Sequence, residues 1–310
     1  MTLQQMEYIV ALDTYRHFVL AAESCGVTQP SLSAMVQKLE EELDVTLFNR
    51  TRKNISPTPI GEIVIKQARV LLQEAERVKE LISDEVGTLK GHLHIGILPT
   101  IAPYLVPDLI RAMTKDYPRL DLVIEEKENA LLLQDLKMGH IDMALITSPD
   151  ADDMLLEIPL YKEPFVGYFS CSCPGILQMI ANGQLPAEDM WILKEGHCMP
   201  KSGLMICEDK NVGNHIYEAG SIETLIRIVD KNGGFTIIPQ LHAKFLSQEQ
   251  QQNIHPLEHI PSAHRLVSMV IREDYVREKV VNAVFQAIRK IVPLSMWSSE
   301  NADKTIKLRR

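Results

Sequence analysis

Residues 18–43 decide the fold of the N-terminal region, and they read FVLAAESCGVTQPSLSAMVQKLEEEL. Apolar residues recur at helical spacing on both sides of a short break, which predicts two helices. Gly26 is placed to end the first helix, and Thr28 offers an N-cap hydroxyl to the second. Pro30 then lies in the first turn, where its missing N–H has no cost. Two helices joined by residues 25–28 are typical of a helix-turn-helix motif.

The second helix of this motif carries polar side chains on the face away from its apolar stripe. Such a helix lies in the DNA major groove with its N-terminal end first, and Gln, Ser and Lys bond to base edges or phosphates. A hairpin follows with three cations in four positions, which would contact phosphates. Any three-helix bundle also has a polar face, and the basic hairpin is what favours DNA binding. The predicted DNA-binding residues are Thr28, Gln29, Pro30, Ser31, Ser33, Gln37, Lys38, Arg50, Arg52 and Lys53.

A long helix is predicted over residues 62–86, which contain neither Gly nor Pro. Its apolar residues form a stripe suited to pairing with a second helix. A dimer formed in this way would present two DNA-reading helices to two half-sites. The alternative is a long helix that packs on its own domain.

Beyond a linker at residues 87–91, strands alternate with helices, which predicts parallel sheets with crossover helices on both faces. The chain leaves the first α/β unit near residues 161–167 and returns along a strand at 266–271. The predicted fold is an α/β effector domain of two Rossmann-like subdomains, as in periplasmic binding proteins, preceded by a winged helix-turn-helix and a long linker helix. The predicted limits are 1–58 for the DNA-binding domain, 59–90 for the linker helix and hinge, 91–161 with 266–300 for subdomain I, 162–265 for subdomain II, and 301–310 for a mobile tail.

Composition is that of an ordinary globular protein, with a formal net charge of −9 at pH 7. Net charge does not decide what one local basic surface does. No apolar run approaches the roughly 20 residues of a membrane-spanning helix, and the first residues do not form a signal peptide. Five cysteines without an export signal argue against a secreted disulfide framework, so we expect a cytoplasmic protein without a membrane partner. Cys171 and Cys173 are a weak metal signal, and no metal site or cofactor is predicted.

The first ninety residues resemble the LysR-type transcriptional regulators. The motifs that carry the resemblance are His17-Phe18 with Ala21-Ala22, Thr28-Gln29-Pro30-Ser31-Leu32-Ser33, Lys38-Leu39-Glu40, and Leu47-Phe48-Asn49-Arg50. The resemblance implies a dimerising linker helix, a two-part α/β effector domain and, commonly, tetramers. It also implies promoter DNA and RNA polymerase as partners, and a regulator in place of an enzyme.

The second half is similar to the peroxide-sensing members of that family. The motifs are Leu93-His94-Ile95-Gly96 with Pro99-Thr100, Glu195-Gly196-His197-Cys198, Met205-Ile206-Cys207, and Ser221-Ile222-Glu223-Thr224-Leu225. The resemblance implies that Cys198 is the cysteine oxidised by hydrogen peroxide and that Cys207 resolves it as a disulfide. It places Thr100, His197 and Arg265 at the peroxide, together with Asn129, which stands where those relatives often have threonine. A reductant of the glutaredoxin or thioredoxin type is expected to reverse the oxidation.

The residues themselves suit this chemistry. Only a thiolate attacks the peroxide O–O bond, and a neighbouring cation such as His197 or Arg265 lowers the pKa of a thiol. A sulfenic acid then condenses with a nearby thiol. A disulfide needs Cα atoms within about 7 Å, so bonding two distant cysteines would rearrange the segment between them.

Three other interpretations stay open. A LysR-type regulator could bind a small metabolite in the cleft between the subdomains, with incidental cysteines. A thiol peroxidase would use Cys198 as catalyst, but the N-terminal ninety residues would then have no purpose. A solute-binding protein shares the two-lobed fold, but it has no DNA-binding head.

Overall fold

The computed structural model describes residues 1–51, 54–85, 89–147, 152–170, 190–193, 215–217, 221–257, 263–298 and 305–308. The chain divides into two compact units, Met1–Val86 and Gly87–Arg310. No helix among the described residues has the length and apolar character needed to cross a membrane.

The N-terminal unit contains the predicted helix-turn-helix and hairpin. Its elements are α1 (Leu3–Tyr15), α2 (Phe18–Ser24), α3 (Gln29–Leu43), β1 (Phe48–Thr51), β2 (Asn54–Pro57) and α4 (Pro59–Glu85). The two strands pair antiparallel. One core joins all four helices and the hairpin, because the inward side chains of each, such as Ile9, Ala21, Leu32, Phe48 and Ile65, are buried together.

The long helix α4 begins three residues earlier than the sequence predicts, at Pro59 and not at residue 62. Proline is well suited to the first turn, and the Thr58 hydroxyl accepts a hydrogen bond from the Gly61 N–H at 3.0 Å, so Thr58 acts as the cap. Ile65 and Ala68 are buried in the core of the N-terminal unit, whereas Val78 and Ile82 are exposed. The first turns of α4 therefore pack on their own domain, and a dimer contact remains a prediction for the later turns.

The described part of the C-terminal unit contains a mixed sheet, a separate pair of parallel strands (Trp191–Leu193 and His215–Tyr217) and several helices. Its strands are β3 (Gly91–Ile97), β4 (Leu120–Glu126), β5 (Met143–Thr147), β6 (Leu155–Phe169), β7 (Trp191–Leu193), β8 (His215–Tyr217), β9 (Phe235–Pro239), β10 (Ile254–Pro256) and β11 (His264–Arg272). Its helices are α5 (Ala102–Asp116), α6 (Asn129–Lys137), α7 (Ile222–Asn232), α8 (Gln248–Gln251) and α9 (Glu278–Ile291), with short 3₁₀ turns η1 (Gln240–Phe245) and η2 (Leu294–Met296).

The centre of this sheet departs from the parallel arrangement that the alternation of strands and helices predicts. Strands β3, β4 and β5 are parallel as predicted, and so are β7 and β8. However, β11 runs antiparallel to both β5 and β6, and β6 runs antiparallel to β9 and β10. The reason is that the chain leaves and re-enters the first subdomain along neighbouring strands, which must run in opposite directions.

Two separate hydrophobic cores lie along this sheet. The first combines residues of β3, β5, α5 and β11 with most of α9, and the second combines the end of β6 with α7 and β9. The 15-residue strand β6 contributes to both cores. This arrangement confirms the two α/β subdomains predicted from the sequence, whereas the exact domain limits stay predictions.

Part of the C-terminal tail is held against α9, whereas the sequence predicts that this tail is mobile. The side chain of Asn282 donates to the Ile306 carbonyl at 2.8 Å and accepts from the Ile306 N–H at 2.9 Å. The Ile306 side chain is buried in the first core. The Leu308 N–H also donates to Glu278 Oε2 at 2.9 Å, so two residues of the tail are held against α9.

Candidate functional site

The carboxyl ends of the parallel strands bring the described candidate residues to one edge of the sheet. Ile97 ends β3 and pairs with Glu126, which ends β4, so Thr100 and Asn129 each follow a neighbouring strand by three residues. Arg265 enters the same edge from the start of β11, because β11 runs antiparallel to β5. Ligands of open α/β sheets bind at this edge.

Arg265 and Thr100 are in direct contact and are both fully buried. The Arg265 Nη1 donates to the Thr100 hydroxyl at 2.8 Å, and Nη2 donates to the Thr100 carbonyl at 3.1 Å. These two residues are 165 positions apart in the chain. The structure therefore brings together two of the residues that the family resemblance selects.

A carboxylate that the sequence analysis missed completes this cluster. Arg265 Nε donates to Glu163 Oε2 at 2.9 Å, and Nη2 lies 2.8 Å from the same oxygen. Glu163 Oε1 accepts the Leu241 N–H at 3.0 Å. Glu163 is fully buried, so its charge needs a partner, and Arg265 supplies it.

Two tyrosine hydroxyls extend the network. Tyr104 donates to Glu163 Oε2 at 2.9 Å, and its hydroxyl lies 2.8 Å from that of Tyr161. Burial and the nearby Glu163 charge raise the pKa of both tyrosines, so both stay protonated. Since Tyr104 donates to the carboxylate, Tyr161 is the donor between the two hydroxyls.

A period of two along β6 could have identified Glu163. Tyr161, Glu163 and Phe165 are buried, whereas Lys162 and Pro164 between them are exposed. An acidic residue at an inward position of a strand is unusual enough to indicate a buried partner. Tyr104 and Leu241 carry no such signal, because their roles depend on contacts far apart in the sequence.

Two buried polar groups near this edge have no hydrogen-bond partner among the residues that the structure describes. One is Asn129 Oδ1, at the first residue of α6. The other is the His242 ring, whose nitrogens are both unpaired. Asn129 thus offers a buried acceptor to a small hydrogen-bond donor.

Cys198, Cys207 and His197, which the resemblance assigns to peroxide sensing, lie outside the described residues, as do Cys171 and Cys173. No group of side chains that could hold a metal ion occurs in the described part of the chain. The positions of the two redox cysteines stay predictions.

His242 provides a test of the site by pH. Burial lowers the pKa of His242 from 6.5, with Glu223 opposing and Arg265 supporting the shift. As pH falls below 6.5, the unfolded chain binds the proton first, so we expect the free energy of unfolding to fall by at most about 1.4 kcal/mol per pH unit. The contribution of His242 to this loss of stability ends when the pH reaches the lower pKa that His242 has in the folded state.

The measurement is the urea unfolding free energy of wild type and His242→Leu between pH 5 and pH 8. The variant should lose less stability than wild type over the acid part of this range. Gln240→Leu, at an exposed residue without an ionisable group in the same 3₁₀ turn, is the matched control and should follow the wild-type profile. Equal acid losses in wild type and His242→Leu would contradict the prediction.

The predicted DNA-reading helix has the expected start. The Thr28 hydroxyl accepts the Ser31 N–H, and Pro30 lies in the first turn of α3. Gln29, Pro30, Ser31, Gln37 and Lys38 are exposed, and Ser33 is half-buried. Arg50 lies in β1, but its side chain is outside the described part, as are Arg52 and Lys53. The available face of α3 is therefore polar and accessible, and the wing cations stay predictions.

Glu40 positions the wing next to this helix. Its Oε1 accepts the backbone N–H of Leu47 at 2.7 Å and that of Phe48 at 3.2 Å. These bonds tie the end of α3 to the first strand of the hairpin. The acidic run at the end of α3 thus contains a structural carboxylate that fixes where the wing begins.

We expect Glu40→Ala to lose about 2 kcal/mol of unfolding free energy, because two backbone donors lose a charged acceptor. Glu40→Gln keeps an oxygen at the same place and should lose less. The exposed Glu41→Ala variant is the control and should change stability by less than about 0.5 kcal/mol. Chemical denaturation of the full chain measures all three, and equal losses for Glu40→Ala and Glu41→Ala would refute the role of Glu40.

Comparison with known proteins agrees with this architecture. Residues 3–62 match the bacterial regulatory helix-turn-helix proteins of the lysR family, and residues 87–292 match the LysR substrate binding domain. The chain is 31% identical over 301 residues to the hydrogen peroxide-inducible genes activator of Haemophilus influenzae, covering 94% of this chain and 99% of that protein.

Solved structures give the same result. A full-length OxyR variant from Pseudomonas aeruginosa is 28% identical with a TM-score of 0.70, covering 96% of this chain and 98% of that chain. An OxyR mutant from Corynebacterium glutamicum with hydrogen peroxide bound is 25% identical with a TM-score of 0.58, covering 94% and 92%. The chain therefore belongs to the LysR family of DNA-binding transcriptional regulators.

Proposed function

We propose that this regulator senses hydrogen peroxide through Cys198 and Cys207 and changes transcription of oxidative-stress genes. The observation that carries the proposal is the Arg265–Thr100 hydrogen bond at the ligand-binding edge of the sheet. The relatives named as peroxide-inducible activators, and the related OxyR structure with bound peroxide, support it. Thr100, Asn129, His197 and Arg265 are the proposed peroxide-binding residues.

The proposed chemistry is a two-step oxidation of sulfur. The Cys198 thiolate attacks one peroxide oxygen, so that an S–O bond forms, the O–O bond breaks, and the other oxygen leaves as hydroxide that takes a proton to become water. The Cys207 thiol then displaces water from the sulfenic acid to give a disulfide. Peroxide is reduced and the two sulfurs are oxidised by two electrons in total.

The rearranged segment between the cysteines would alter the oligomer on DNA. The proposed partners are double-stranded promoter DNA, a second copy of the chain in a dimer or tetramer, and RNA polymerase. A glutaredoxin- or thioredoxin-type reductant would reset the cytoplasmic protein. We expect that reductant to recycle a sensor slowly, so slow steady-state consumption of peroxide in its presence would separate this regulator from a thiol peroxidase.

The test is a footprint on promoter DNA with reduced and peroxide-treated protein, for wild type and Cys198→Ser, combined with disulfide mapping. We expect a peroxide-dependent change of the wild-type footprint, a Cys198–Cys207 link, and neither in the variant. An unchanged footprint, or no such link, would overturn the proposal. A response that persists in Cys198→Ser together with tight binding of an organic acid would favour a metabolite-responsive regulator.

A further inference from the structure

We propose that Glu163 is a positioning residue of the sensing site: it holds the Arg265 guanidinium so that Arg265 fixes the Thr100 hydroxyl as a hydrogen-bond donor. This inference rests on the proposed function, in which Thr100 contacts peroxide. It assigns a role to a carboxylate that the family motifs do not select.

The Glu163 carboxylate is held from four structural elements. It lies on β6, Oε2 accepts from Arg265 of β11 and from Tyr104 of α5, and Oε1 accepts from the Leu241 N–H of η1. The register of the sheet sets Arg265 directly opposite Glu163. A carboxylate bonded to this many donors cannot shift without breaking bonds to several elements, so the orientation of the guanidinium is fixed as well.

Arg265 in turn fixes the polarity of Thr100. A guanidinium has no acceptor, so the Thr100 hydroxyl oxygen accepts from Arg265 and its hydrogen must be directed toward another group. The second bond, from Nη2 to the Thr100 carbonyl, prevents the residue from rotating away. This bond gives the Thr100 hydroxyl the donor polarity that a peroxide oxygen requires, and Asn129 Oδ1 offers an acceptor for a peroxide hydrogen.

The buried pair also changes the expected role of Arg265. The sequence predicts a cation that lowers the pKa of the Cys198 thiol. Because Arg265 and Glu163 are both fully buried and lie 2.8 Å apart, their charges largely cancel at a distance. Arg265 therefore acts on peroxide through the geometry of Thr100, and Glu163 acts one step further away.

The experiment measures two rates on Cys198 in the full-length protein. One is the second-order rate constant for oxidation by hydrogen peroxide, and the other is alkylation by iodoacetamide against pH, which reports the thiolate fraction. Glu163→Gln should slow peroxide oxidation about tenfold, since a small misplacement of a positioning group has an effect of this size or larger. Because the substitution leaves the Arg265 charge unneutralised, the alkylation profile should stay in place or move to lower pH, so a smaller thiolate fraction does not explain the slower oxidation. Glu157→Gln, whose carboxylate joins the same two strands through Ser268, is the matched control and should change neither rate.

A double-mutant comparison separates positioning from a general loss of structure. In a Thr100→Val background, Glu163→Gln should cause no further loss of peroxide reactivity, because its effect passes through the missing hydroxyl. Tyr104→Phe removes one contact to Glu163 and serves as the milder variant if Glu163→Gln does not fold. It should slow peroxide oxidation in the wild-type background and leave the Thr100→Val protein unchanged.

Losses that add in the Thr100→Val background, or an alkylation profile shifted to higher pH, would overturn the role of Glu163. These results differ from a failure of the proposed function itself, in which Cys198 of the wild-type protein would not be oxidised by peroxide at all.

Discussion

Arg265→Met is expected to lower the free energy of unfolding by about 3–5 kcal/mol, the largest effect predicted for this chain. The substitution leaves the Glu163 carboxylate buried without its cation, and an uncompensated buried charge has a cost of this size. Arg265→Met with Glu163→Gln removes both charges, so the double variant should be more stable than Arg265→Met alone.

Urea or guanidinium unfolding at neutral pH measures these differences. Arg111→Met is the control, because Arg111 is 80% exposed and its ion pair with Asp108 lies on the surface. Such pairs contribute about 1 kcal/mol or less. If Arg265→Met loses no more stability than Arg111→Met, the buried pair does not stabilise the fold in the way described.

Gly61→Ala is expected to destabilise the N-terminal unit by about 3 kcal/mol, at the upper end of the usual range for overpacking. A Cβ at Gly61 would lie 2.0 Å from the Leu47 carbonyl oxygen, which is backbone and cannot turn aside. The same carbonyl accepts the Thr58 N–H at 2.9 Å. The methyl group would therefore separate α4 from the wing and break that bond.

The matched control for this substitution is Gly26→Ala. Gly26 has a φ of +66° but nothing within 4 Å of an added Cβ, so only its backbone conformation opposes alanine. This left-handed backbone conformation should lower the free energy of unfolding of Gly26→Ala by about 1 kcal/mol. Thermal unfolding and DNA affinity of both variants should rank Gly61→Ala as the more damaged protein. Equal losses would show that α4 and the wing can separate at little cost.

The sequence predicted the local structure well because its signals are local. Thr28, Pro30 and Gly26 mark the helix-turn-helix by capping and turn preferences that act within a few residues. Thr100 was predicted by the family motif, and its place at a strand end agrees with the general rule for such sheets. The predicted start of α4 at residue 62 is three residues too late, because proline suits the first position of a helix and α4 begins at Pro59.

The missed features depend on contacts between distant residues. The bond between Glu163 and the Leu241 N–H joins positions 78 residues apart, and nothing near either residue specifies the other. The antiparallel centre of the sheet follows from where the chain crosses between cores, which periodicity does not report. The bond between Ile306 and Asn282 of α9 likewise joins residues that are 24 positions apart in the chain.

The long strand β6 and its neighbour β11 make the second core an insertion in the first. The polypeptide enters the second core along β6 and leaves it along β11, and Arg265 is paired with Glu163 where the two strands part. The ends of the inserted segment are therefore already side by side, so its length adds little closure entropy. The inserted lobe can therefore differ in length at little cost to the scaffold that presents Thr100.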